Sequence, residues 1–155
     1  VGLAIAADPD AQLFVREAST RHFGVWREAD GGREKVFDSI LSKDTAAPEG
    51  ALLKVVRSYY PVHAVGHLRF VECSDLNAEG QPSGDLTPWG EILFPYDPSL
   101  RDSGERLLEA VGQRAEVGGQ EIVETYEYGE DGLITVEIEN RSAGYRHTSR
   151  LSGPA

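Results

Sequence analysis

Four histidines, one cysteine and 26 acidic side chains are the groups in this 155-residue chain that could bind a metal or move a proton. His63 and His67 stand four apart, which would place both on one helix face. Pro61 and Gly66 instead indicate a turn entering a strand, where the same spacing holds two imidazoles too far apart to chelate one ion. They read as surface or turn histidines. Any two carboxylates brought together could act as general acid and base, but no spacing selects a pair, so the acidic residues read as a solvated face. Glu130 and Asp131 fall short of the oxygen series of a calcium loop. Gly31-Gly32-Arg33-Glu34-Lys35 lacks P-loop spacing, and no Gly-x-Ser-x-Gly elbow occurs. Trp26, Tyr59, Tyr60, Trp89 and Tyr96 remain, since rings near loops anchor peptides or sugars as readily as they pack cores. The expectation is a non-catalytic chain with no metal and no cofactor of its own.

Those aromatics have to be held by strands. Ile122, Tyr126 and Tyr128 alternate on one side of Gly129-Glu130-Asp131-Gly132, and Ile134, Val136 and Ile138 on the other, which predicts a hairpin. Glu124 falls on the same apolar parity. Further β-type runs cover 22–26, 35–41, 52–60, 66–73, 91–94 and 146–151, separated by Gly, Pro and Asp clusters. About eight strands without helical periodicity between them predict a mainly β protein, an antiparallel two-layer β-sandwich. Two insertions interrupt it: a polar loop over 75–85, and a short helix over 104–114 with Leu107, Leu108 and Val111 on one side.

Composition limits the partners. A length of 155 residues with 40% hydrophobic content suits one core-forming domain. A net charge of −11 is unfavourable for a phosphate backbone or an anionic membrane, so neither nucleic acid nor membrane is expected. Lone Cys73 has no intramolecular disulfide partner and suits a reducing compartment, which points to the cytoplasm. Residues 1–19 read as the end of a preceding domain and a linker, 20–155 as the sandwich, and the absence of Met suggests a piece of something longer. The sequon Asn140-Arg141-Ser142 has meaning only in a secreted protein.

The order of segments resembles a known family. Residues 126–136, YEYGEDGLITV, resemble the signature hairpin of the substrate-binding domain of DnaK-type chaperones, the seventy-kilodalton heat-shock family. Thr20-Arg21-His22-Phe23-Gly24-Val25 is similar to that family's first strand, and residues 37–48 to its second strand with the Asn-Thr-x-x-Pro tail. Gly90-Glu91-Ile92-Leu93-Phe94 is similar to its Gly-x-Phe-x-Leu strand, and Gly2 to Ala6 to the end of the ATPase domain that precedes the module. The resemblance spans residues 20 to 151 and rests on colinearity. It implies a sandwich whose loops at one end clamp unfolded or extended peptides, coupled in the full-length protein to an ATPase domain that uses ATP and magnesium. Carried over position by position, it points to Val25, Ala29, Tyr60, Val62, Val65, Gly66, Leu68 and Tyr96 as peptide-binding residues, with Gly66 standing where the family has a branched aliphatic residue. The alternatives are a carbohydrate-binding sandwich that stacks Trp and Tyr on sugar faces, a protein-interaction module with a degenerate pocket, and a carboxylate-pair hydrolase.

Overall fold

In the computed structural model, described over residues 21–29, 34–43, 50, 52–129 and 132–151, two antiparallel four-stranded sheets face one another. The first has the order β2-β1-β4-β5, built from β1 (His22–Ala29), β2 (Glu34–Leu41), β4 (Val65–Leu76) and β5 (Pro82–Pro95). The second has the order β3-β6-β7-β8, built from β3 (Leu53–Tyr59), β6 (Ile122–Tyr128), β7 (Ile134–Asn140) and β8 (Tyr145–Leu151). The fold is therefore the expected mainly β sandwich. The expected hairpin forms, with Tyr126 opposite Val136 and Glu124 opposite Ile138. Strict alternation puts Ile134, Val136, Ile138 and Asn140 of β7 inward.

The core lies between the sheets. Phe23, Val25, Leu68, Phe70, Ile92 and Phe94 project from the first sheet onto Ile122, Tyr126, Val136 and Ile138 of the second. Phe70 and Tyr126 meet edge to face across the layers, with centroids 6.3 Å apart. Asn140 is fully buried. Its amide nitrogen donates to the Tyr96 carbonyl, to Gln120 Oε1 and to the Tyr145 hydroxyl, and its oxygen accepts from Ala143 N. The sequon is thus a structural amide with no free nitrogen to modify.

Two expected insertions differ from their sequence reading. The polar loop shrinks to residues 77–81, because β4 runs on to Leu76 and β5 begins at Pro82. Asn77 holds that turn, its side chain accepting from Glu79 N and Gln81 N. The second insertion is a 3-10 helix, Gly104–Ala110, in which Leu107 and Ala110 are buried while Leu108 stays 59% exposed. A three-residue turn aligns positions 107 and 110 and turns Leu108 outward, which a 3.6 period does not. Leu107 and Ala110 join Ala64 and Val65 in a second small core, and backbone bonds from Ala64 N to Gln113 O and from Ala115 N to Val62 O tie the insertion to the loop before β4. The expected end of a preceding domain and its linker (1–19) lie outside the described residues, as do Glu130 and Asp131 of the hairpin turn.

Candidate functional site

Arg27 follows Phe23 and Val25 on the inward parity of β1, and Glu124 sits between Ile122 and Tyr126 on the inward parity of β6. The alternation therefore aims two opposite charges at each other across the sandwich. They form a bidentate pair, Nη1 to Oε2 and Nη2 to Oε1, both at 2.7 Å. Arg27 also reaches Asp38 Oδ2 of β2 at 2.9 and 3.0 Å, and Arg57 of β3 holds the same carboxylate at 3.0 and 3.1 Å. Two cations thus balance two anions. Tyr126 donates to Glu124 Oε1 at 2.5 Å, Tyr59 donates to Glu124 Oε2, and the Tyr59 and Tyr96 hydroxyls share a 2.7 Å bond.

Electrostatics follow from this packing. Burial acts to raise the Asp38 carboxyl, but the guanidiniums of Arg57 and Arg27 overcome it and hold the group below its ordinary range. Burial alone would lower Arg27, and the Glu124 carboxylate reverses it, so the guanidinium is charged at every accessible pH. Burial, reinforced by Glu124, drives the hydroxyls of Tyr59, Tyr96 and Tyr126 well above the usual phenol value.

This network underlies a cleft of about 290 Å³ at the rim of the sandwich. Residues 59–63, which leave β3, form one wall, the first residues of β4 form the other, and Arg27 and Tyr96 also line it. Of the eight residues expected at a peptide site, Tyr60, Val62, Val65, Gly66, Leu68 and Tyr96 line this one cleft. Tyr60 and Val62 are 64% and 52% exposed, a costly display of apolar surface at one edge. Val65, Leu68 and Tyr96 are buried beneath. Val25 lies elsewhere: it is fully buried between the sheets and packs the core. Ala29 ends β1, its backbone opposite Glu34.

Gly66 leaves no extra room in the cleft. A β-carbon there would overlap the Tyr96 ring, which fills the volume a larger residue would take. The ring cannot swing aside cheaply, because its hydroxyl is bonded to Tyr59 and its backbone N donates to the Ala64 carbonyl. Gly66→Ala should therefore lower stability in urea unfolding by about 1–3 kcal/mol. A cost near zero would mean the ring is not pinned.

Two flanking histidines have separate roles. His63 makes an isolated backbone bridge with Arg114, and His67 Nε2 lies 2.7 Å from Glu91 Oε2. Among the described residues no group of three or more His, Cys, Asp or Glu is placed to hold a metal. Arg27, Glu28 and Pro61 line the cleft without having been singled out from sequence as binding residues, whereas Tyr59 was among the aromatic candidates. The one usable signal was Glu124 on an apolar parity, which demands a buried cation somewhere in the chain.

No family model matches the chain, and none of the curated proteins matches it in sequence. The likeness to the DnaK-type module therefore stands on the residues quoted for it.

Proposed function

We propose that this chain is a non-catalytic peptide-binding sandwich, the client-holding β-domain of a divergent DnaK-like chaperone, and that the rim cleft takes an extended apolar stretch of an unfolded polypeptide. The observation that carries the reading is the pairing of exposed Tyr60 and Val62 with a floor of Leu68, Val65 and Tyr96 in one cleft at the end of the sandwich. An extended chain presents side chains to such a cleft while its backbone pairs with whatever edge is free. The chemistry beneath also suits holding. Each Glu124 oxygen already accepts two donors, and phenols held protonated far above neutrality are poor proton shuttles.

Burial at about 25 cal/mol per Å², less the ordering of a flexible ligand, gives roughly micromolar affinity. Fluorescence-anisotropy titration with short extended apolar peptides should saturate in that range. The combined variant Tyr60→Ala, Val62→Asp, both at exposed positions, should weaken binding by about tenfold or more with an unchanged melting temperature. Saturable binding that this variant leaves intact, or no binding by any peptide, would remove the proposal. Leu68 and Val25 are unsuitable probes, since charge at either would unfold the core.

A further inference from the structure

The outer face of the β2-β1-β4-β5 sheet carries a second concavity, away from the rim cleft. Phe37, Trp26, Arg69 and Glu91 form a row across the four strands, each the direct cross-strand neighbour of the next. Trp26 and Phe37 meet edge to face with centroids 5.4 Å apart. Beside this row β5 holds one extra residue: Phe70 faces Gly90, Val71 faces Pro88, and Trp89 between them packs on Phe23 at 5.1 Å. Gly90 takes the positive φ of 115° that this bulge requires. The result is a groove of about 820 Å³, lined by Trp26, Lys35, Arg69, Val71, Pro88 and Glu91.

Arg69 is the anomaly. Its Nε and Nη2 are shielded from solvent and have no hydrogen-bond acceptor among the described residues. Glu91, its cross-strand neighbour, is engaged with His67 instead. A guanidinium cannot escape by losing its proton, and a desolvated donor without an acceptor is destabilising. Nε–H and Nη2–H are the side-on pair of the guanidinium fork, the edge that matches a carboxylate with two parallel bonds. Lys35 adds a second positive charge in a chain whose net charge is −11, and Trp26, Val71 and Pro88 supply apolar surface. The volume lies in the range of small-molecule sites.

We propose that this groove binds a small organic carboxylate with a flat apolar body, the carboxylate on Arg69 and the body against Trp26. Binding draws the Arg69 head group toward the ligand and gives its orphaned donors an acceptor.

The test is a tryptophan-fluorescence and calorimetric titration of the full chain with 3-phenylpropionate, its primary amide, and acetate. The acid should bind saturably, about millimolar or tighter, and the amide about tenfold more weakly. Acetate should bind more weakly still. Arg69→Gln should erase the preference for acid over amide, and Arg69→Lys should restore part of it. Trp26→Ala should weaken acid and amide alike by about fivefold. The rim variant Tyr60→Ala, Val62→Asp should bind the acid normally, so failure of either site leaves the other standing. No saturation by the acid, equal affinity for acid and amide, or an unchanged preference in folded Arg69→Gln would overturn the proposal. So would much tighter binding of a short acidic aromatic peptide, which would assign the groove to a polypeptide. If Arg69→Gln does not fold, the acid and amide comparison on the unaltered chain decides.

Discussion

Arg27→Met should destabilise the protein by about 3–5 kcal/mol, because it leaves the Glu124 carboxylate in the core without its cation. Glu124 is fully buried and the Arg27 side chain is only 20% exposed, so solvent cannot take over the lost bonds. A mean domain stability of about 5–15 kcal/mol makes this a large fraction of the total. The double variant Arg27→Met, Glu124→Leu should regain a substantial part of the loss, since removing both charges also removes their desolvation cost. Asp38 retains Arg57 in that background, while Tyr59 and Tyr126 lose an acceptor, so recovery is incomplete. Urea unfolding of the singles and the double gives the coupling directly. A single-variant cost below about 1 kcal/mol would mean that the pair behaves as an exposed one.

Alkaline pH should have an effect of similar size. Tyr59, Tyr96 and Tyr126 have hydroxyl values raised in the folded protein, by burial first and then by the Glu124 carboxylate, with Tyr96 adding to the rise at Tyr59. A raised folded value contributes stability that is complete below the ordinary phenol value near 10 and is lost as pH rises toward the folded value, because only the unfolded chain releases the protons. Each tyrosine removes up to about 1.4 kcal/mol per pH unit in that window, so the three together give a steep loss above roughly pH 10. Absorbance at phenolate wavelengths should show these three tyrosines ionising only with unfolding. Gradual ionisation of these three before the circular dichroism changes would contradict the packing. Asp38 has the opposite sign: its lowered value contributes stability present above the ordinary carboxylate value near 3.9 and lost as pH falls below it.

The strands were legible because all eight sequence runs carry period-two alternation or β-rich composition into a two-faced sheet. The stretch between two of them is the informative miss. Residues 75–85 looked like a loop because the β4–β5 ribbon beyond Cys73 is mostly solvated on both faces, so no apolar alternation marks it. The 3-10 segment hid its true face because Leu107 and Ala110, three apart, are the buried pair.

The site was legible in part. Tyr60 and Val62 stand out as large apolar residues beside Pro61 in a loop, and Tyr96 follows the Pro95 exit of a strand. Arg27 does not stand out, since an inward arginine and an outward one read alike in sequence. Its partner Glu124 is 97 residues away. Val25 and Leu68 illustrate the converse: both are buried aliphatics on neighbouring strands, yet only Leu68 borders the cleft. That difference depends on how far each lies from the rim.

The central claim is that the rim cleft grips an extended apolar chain, and amide chemical-shift mapping tests it most directly. Adding an unlabelled apolar heptapeptide to the nitrogen-15-labelled protein should move the amides of Tyr60, Val62, His63, Gly66 and Leu68 most. The Trp26 and Arg69 amides on the outer face should stay in place. Shifts centred on the outer face, or none at saturating peptide, would contradict it.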